Sequence, residues 1–204
     1  MHKYYFSSFV FSLFSLLLFA VACDNKKDNP PTTAGPQDFS CIKLFDEVGQ
    51  ALGLHGNCSS SNDWGALSLN GAENALLDFS DTVSLAGTLP TSIPNCSIAP
   101  NPVVSNQTLH FYLNGESPTQ NIKLKLVVAD EMMNVIQQWS LQMNSSGAIA
   151  LHMDPDKYNS GQYYRLYYRA SAQGAPSLLQ GYGNFLVCKT YINGVNTTIE
   201  SDCL

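Results

Sequence analysis

The chain has 204 residues, a net charge of -6 and only 13% charged residues, a length that allows one ordinary domain with its own core plus a leader and a linker. There is no basic footprint for a phosphate backbone, so nucleic acid is not an expected partner. Ser, Asn, Thr and Gly are plentiful, and the apolar residues come in short runs between turn formers, the profile of an extracytoplasmic all-β protein.

In chain order, Lys3 is followed by an apolar run from Tyr4 to Phe19 and by the small residues Ala20, Val21 and Ala22. These are the parts of a secretory signal over residues 1–22, cut before Cys23. Removing Lys3 takes the net charge from -6 to -7. Ala20-Val21-Ala22 suits ordinary signal peptidase. It also resembles the lipobox of bacterial lipoproteins, in which the cysteine after the cut is acylated, although Ala20 stands where that motif usually has Leu, Val or Ile. Both routes cut the same bond and differ in whether Cys23 carries lipid. The next segment favours lipid: residues 24–38, "DNKKDNPPTTAGPQD", have three prolines and no large apolar side chain, so 23–38 reads as a flexible tether. Fully extended, residues 24–38 reach roughly 45 Å at about 3.1 Å each. Asp24, Lys26, Lys27 and Asp28 also resemble the surface-export signal of lipoproteins in some diderm bacteria. The expected location is the outer membrane, facing the periplasm or the cell exterior, with the membrane as a partner through lipid on Cys23.

Residues 39–62 read as a short helix and a cysteine loop. In "CIKLFDEVGQALGL", Ile42, Phe45, Val48 and Leu52 recur at intervals of three and four, one face of a helix. From Trp64 the runs shorten: "WGALSL", the turn "NGAEN" and "ALLDFSDTVSLAGTLP" predict two or three strands before Pro102. Then "LHFYL", "IKLKLVVAD", "NVIQQWSLQM", "AIALHM", "QYYRLYYRA" and "SLLQGYGNFLVC" follow as strands. The clearest is the third-quarter run in which Ile122, Leu124, Leu126 and Val128 alternate with Lys123 and Lys125. The fold expected is all-β, an immunoglobulin-like antiparallel β-sandwich over residues 63–204 with one short N-terminal helix.

"APNPVVSNQTLHFYL", "IKLKLVVADEMMNVI" and "GAIALHMDPDKYNSGQYYRLYY" resemble the C-terminal sorting domain of type IX secretion substrates and the related sandwich of flagellar hook-capping proteins. The features that carry the resemblance are Pro100-Asn101-Pro102 before the first strand, Asp130 with Val135 and Ile136 around a turn, and Gly161 with Tyr163 opening a strand. It covers residues 99–188 and implies a sandwich and a sorting role. Met133 stands where that turn usually carries Gly, and 16 residues follow Cys188.

Those last residues contain Asn193-Gly194 between strand-like triplets, a two-residue hairpin signal, which extends the sandwich to residue 204. Its register places Cys203 opposite Asn184, and a parallel pairing of first and last strands brings Cys96 to the same end. In an oxidising compartment disulfides are the default. Acylation of Cys23 leaves five cysteines and at most two bridges, expected as Cys41 with Cys58 and Cys96 with Cys203, with Cys188 unpaired; a bare Cys23 allows three bridges from six, and spacing alone does not fix connectivity.

Among candidate sites, Asp154, Asp156 and Asn159 offer calcium-type oxygen ligands in one loop, without the later acidic ligand of the twelve-residue calcium loop. No C-x-x-C pair or histidine cluster suggests a transition metal, and no cofactor is expected. Tyr163, Arg165, Tyr167 and Arg169 share one strand face that could bind a protein or a glycan. Thr82, in Asp81-Thr82-Val83, resembles an acceptor of bacterial O-glycosylation. No nucleophile elbow, metal-protease helix or P-loop occurs, so the reading is a non-enzymatic lipoprotein that binds or assists a partner. The alternatives are a small protein exported on its sandwich as a type IX sorting domain, and a carbohydrate-binding module.

Overall fold

The computed structural model describes residues 36–58, 63–85, 92–104, 107–116 and 121–188. They form β1 (Cys41–Phe45), β2 (Ala51–Gly56), α1 (Gly71–Leu76), β3 (Asn95–Ala99), β4 (Val103–Val104), β5 (Thr108–Asn114), β6 (Asn121–Ala129), β7 (Val135–Asn144), β8 (Ser146–His152), β9 (Gln162–Ala172) and β10 (Ala175–Cys188). β1 and β2 make a hairpin, β4-β10-β9-β6-β7 a five-stranded sheet and β3-β5-β8 a three-stranded sheet. Among the described strands only the β4–β10 pairing is parallel.

The alternation read in β6 holds. Ile122, Leu124, Leu126 and Val128 are fully buried and meet Ile98, Leu109, Phe111 and Leu113 of the smaller sheet in one core. Rings fill the space between the sheets: Phe111 and Tyr168 have centroids 5.6 Å apart, Tyr164 and Phe185 5.8 Å. Each large side chain so buried contributes about 1.5–3 kcal/mol, which makes this layer the main source of stability. Two sheets face to face, with β7 passing from one to β8 in the other, form an immunoglobulin-like sandwich. Pro100-Asn101-Pro102 lies between β3 and β4, where the chain changes sheets, and leads directly into β4.

The other face of the five-stranded sheet is covered by the chain's own earlier residues. Ile42 and Leu44 pack against Tyr163, Leu186 and Cys188, while Leu69, Leu77 and Phe79 pack against Val127, Ala129, Tyr167 and Tyr182. Along the sheet edge, residues beside β10 continue the pairing: Trp64 N–H donates to Tyr182 O at 3.1 Å and Leu67 N–H to Gln180 O at 2.8 Å. Trp64 lies so close to β10 that a Cβ on Gly183 would stand 2.0 Å from its ring.

Two expectations for this first half are corrected. Cys41 to Leu54 is a hairpin, not a helix. Asp46 Oδ1 accepts N–H groups from Val48 and Gln50, and Gly49 takes φ +83°, so the chain reverses after one turn's worth of residues. Of the expected stripe only Ile42 and Phe45 are buried; Val48 and Leu52 are 77% and 64% exposed. The helix falls instead on Gly71–Leu76, across the expected turn "NGAEN" and the first two residues of the run after it. Asn70 Oδ1 accepts Glu73 N–H at 3.0 Å and Glu73 Oε2 accepts Asn70 N–H at 2.8 Å, a capping box that outweighs the Asn-Gly turn signal. Where two or three strands are expected before Pro102, the described residues between 63 and 102 hold one, β3 (Asn95–Ala99); β4 begins only at Val103.

Candidate functional site

The strand face expected to bind a partner is where the covering segment is tied down. Arg165, 5% exposed, donates Nε–H to Asn184 Oδ1 at 2.8 Å, one terminal nitrogen to Asp38 O at 2.8 Å and the other to Gln37 Oε1. Glu73 Oε1 lies 3.9 Å from the same guanidinium, and the rings of Phe39 and Tyr182 flank it at 5.4 and 4.0 Å. A planar fork that stacks and donates in several directions is a property of arginine that lysine lacks.

Two asparagines extend this network across the sheet. Asn184 Nδ2 donates to Asp38 O and Cys41 O. Asn101, fully buried, donates Nδ2–H to Lys43 O at 2.7 Å and Asn184 O at 3.1 Å, and its Oδ1 accepts Leu186 N–H at 3.2 Å. Its backbone pairs with Phe45 in both directions. One amide therefore joins the hairpin, the sheet switch and β10, and burial in a low dielectric makes each of those bonds count. Sequence reasoning found Asn101 only as part of the Pro-Asn-Pro match and missed Asn184, Glu73 and Gln37. The available signal was a polar residue held between two prolines.

Farther along the same face, Lys123 and Lys125 share Asp81, at 3.2 and 3.1 Å. Lys125 also donates to Leu77 O at 3.2 Å and Phe79 O at 2.5 Å. Desolvation works against the Asp81 charge, but bonds from Lys125, Lys123 and the Val83 N–H hold its carboxyl below the usual carboxylate range. Arg169 closes the row on Asp78 at 3.1 Å and Asn74 at 2.7 Å.

Tyr163, Arg165, Tyr167 and Arg169 do share one face, but it is an internal interface and not a free binding surface. Tyr167 is fully buried, its hydroxyl donates to Gln37 Oε1 at 3.1 Å, and burial pushes the phenol up to about 12. Tyr163 stacks on Phe39 at 6.2 Å with the rings 17° apart. Beside this pair opens a cleft of about 550 Å³, walled by Phe39 and Tyr163 and rimmed by Ser40, Asp130, Glu131 and Gln162. Asp130 is engaged in its own turn, accepting from Met132 N–H, Asn134 N–H and Asn134 Nδ2. The cleft offers a ring platform with amide and carboxylate groups, and neither histidine nor cysteine is among its described lining residues.

The calcium-type loop takes turn roles. Asp154 Oδ1 accepts Asp156 N–H at 3.2 Å, Asp154 Oδ2 pairs with Lys157 at 3.4 Å, and Asn159 Nδ2 donates to Gln162 Oε1 at 3.2 Å. Among the described residues no group of three His, Cys, Asp or Glu is placed to hold a metal. Thr82 is exposed, between the buried Asp81 carboxylate and Val83. Cys23, the tail hairpin over 189–204 and Cys203 lie outside the described residues.

The cysteine pairing is half as expected. Cys41 and Cys58 form a disulfide, S–S 2.01 Å, that closes the hairpin. The Cys96 assignment is corrected: Cys96 is a buried free thiol, pushed up to about 12 by desolvation. The parallel partner of β10 is β4, so β3 and its Cys96 belong to the other sheet, with Cys96 facing the core. Cys188, expected unpaired, is disulfide-bonded, to a residue outside the described set. Compared with known proteins, the chain matches neither a protein-family model nor a curated protein.

Proposed function

We propose that the protein is a lipid-anchored, non-enzymatic binding or accessory module of the outer membrane, displayed on the tether that begins at Cys23. The observation that supports this reading is the way the end of the tether is built in. Gln37 and Asp38, its last residues, are bonded to Arg165 in the centre of the five-stranded sheet. A pull on the anchor is thus delivered to the middle of the fold, not to a fraying edge. The wrapped β9 face is unavailable to a glycan or protein, so a ligand would meet the cleft beside Phe39 and Tyr163 or the sheet edges.

The cysteines provide the test. Cys41, Cys58 and Cys96 are accounted for, which leaves Cys23 and Cys203 as candidates for Cys188. An acylated Cys23 requires Cys203. Peptide mapping of the mature protein without reduction should therefore find Cys188 linked to Cys203 and an N-terminal Cys23 carrying diacylglycerol mass. A Cys23–Cys188 peptide, or a bare Cys23, overturns the anchor.

A second reading is a small exported protein whose sandwich is its type IX address. Met133 has φ +64°, the left-handed conformation that the family's glycine would suit, and this supports the resemblance at the turn where the residue type departs from it. A reporter fused to residues 92–204, which include β3, should leave the cell if this reading holds. Retention of that fusion counts against it.

A further inference from the structure

Among the described strands, β7 is the long edge of the larger sheet. Its ten residues, "VIQQWSLQMN", pair with β6 on one side, and no described strand pairs with it on the other. Natural sheets blunt such edges with shortness, charge, proline or a bulge in mid-strand. The opposite edge, β4, has two residues. β7 uses none of these devices: no Asp, Glu, Lys, Arg or Pro lies between Glu131 and Asp154, and its one irregularity is at the Val135 end.

The pairing with β6 assigns the faces. Gln137, Trp139, Leu141 and Met143 stand opposite Val128, Leu126, Leu124 and Ile122, on the core side. Trp139, Leu141 and Met143 are only partly buried there, at the open seam of the sandwich. Gln138, Ser140 and Gln142 point the other way, and both glutamines are exposed. β8, the neighbouring edge of the other sheet, carries the small residues Ser146, Gly147, Ala148 and Ala150 beside Ile149, which packs against the core.

Gln138-Trp139-Ser140-Leu141-Gln142 reads the same in chemical character from either end. We propose that β7 is an interface between two copies of this chain, paired antiparallel about a two-fold axis at Ser140. In that register Gln138 faces the partner copy's Gln142, Trp139 faces its Leu141, and the two Ser140 residues face each other. Every core-side residue meets a core-side residue, so the apolar seam continues across the axis while amides pair outside it. Ser140 Oγ is buried without a hydrogen-bond partner in the single chain. The edge itself is neutral, and the net negative charge of each copy, -6 for the full sequence, is screened beyond about 8 Å at physiological salt. This inference rests on the edge alone and stands whether or not Cys23 carries lipid.

Sedimentation of the mature protein, in detergent if lipid is attached, should give a dimer mass. Gln138→Lys with Gln142→Lys sets lysine against lysine at both ends of the pair and should give loss of the dimer with an unchanged circular dichroism spectrum. Gln138→Lys with Gln142→Glu sets lysine against glutamate at both ends and should restore it. As a reading independent of charge, Ser140→Cys should yield a disulfide-linked dimer on a non-reducing gel, because directly opposed residues lie about 4.5–5.5 Å apart between Cα atoms, within disulfide range. Gln138→Cys alone should not. A monomeric native protein, or a dimer indifferent to the two lysines, overturns the interface. A monomeric Gln138→Lys, Gln142→Glu protein, or efficient linkage by Gln138→Cys in place of Ser140→Cys, overturns the Ser140 axis.

Discussion

On one side of β9, Tyr164, Leu166 and Tyr168 enter a layer of Phe111, Leu124, Leu126 and Phe185. On the other side, Tyr163, Arg165, Tyr167 and Arg169 meet residues of the described segments 36–58 and 63–85, bound to them by named hydrogen bonds. Both faces are largely buried, but their energies have different forms. The inner face is non-directional, and its stability scales with apolar area. The buried polar groups of the outer face include the Arg165 guanidinium, the Asn101 and Asn184 amides and the Glu73 and Asp81 carboxylates, each of which must keep its partner once water is gone. A sheet can therefore carry an expendable geometry on one side and an exacting one on the other.

The largest expected effect tests the inner face. Phe111→Ala removes a fully buried ring between Tyr168 and the second sheet and should cost roughly 3–5 kcal/mol, read as a lower denaturant midpoint at unchanged slope. Amide exchange should rise throughout the sandwich. A cost below about 1 kcal/mol would mean the core collapses around the missing ring, outside the usual range for aromatic truncations.

Arg165→Ala should come next, at roughly 3 kcal/mol, because it leaves the buried Glu73 carboxylate without its cation and the buried Asn184 Oδ1 without its Arg165 donor. Its signature differs from that of Phe111→Ala. Exchange should accelerate in residues 36–45 and 70–79 while β6 and β9 stay protected, since the wrap opens below the global unfolding energy. Arg165→Lys should recover little of the loss. Uniform acceleration would mean that the wrap and the sandwich unfold as one unit, and the contrast between the faces would fall.

Asp81 adds a pH dependence to the outer face alone. Its carboxyl is held below the ordinary value of about 3.9, so the unfolded chain takes up its proton first as pH falls. The stabilisation is thus complete above about pH 4 and disappears as pH drops through the folded value. Asp81→Asn should cost roughly 1–2 kcal/mol at neutral pH, and the gap to the native protein should close in acid. Urea titrations at pH 7 and pH 3 check this; a gap that widens in acid has the wrong sign.

The strands β5 to β10 were legible because period-two alternation and turn residues agree there, and the sandwich they build follows from that agreement. The first half was not legible, for reasons visible in particular residues. Ile42, Phe45, Val48 and Leu52 match a helical period, yet Leu52 lies on β2 and is exposed; the local turn at Asp46 decides the structure. The alternation in β9 separated its two faces as drawn. What it could not show is that the cover for Arg165 arrives from Gln37 and Asp38, more than 120 residues away. Cys96 was misassigned through the same kind of gap, because the parallel partner of β10 is the dipeptide β4 and not β3.

The smallest effect lies at the turn between β6 and β7. Met133 adopts φ +64°, where an L side chain costs about 1–2 kcal/mol. Met133→Gly removes that cost and adds the backbone entropy of glycine, about 0.5–1 kcal/mol against the fold. The first exceeds the second, so the variant should gain roughly 0.5–1 kcal/mol. The surrounding bonds favour this outcome, because Asp130 already fixes the turn through Met132 N–H and Asn134 N–H and Met133 N–H donates to Asp130 O at 3.0 Å. None of these contacts needs the Met133 side chain. A Tm that falls instead would show that the side chain, half-buried at this position, contributes more by packing than its backbone conformation costs.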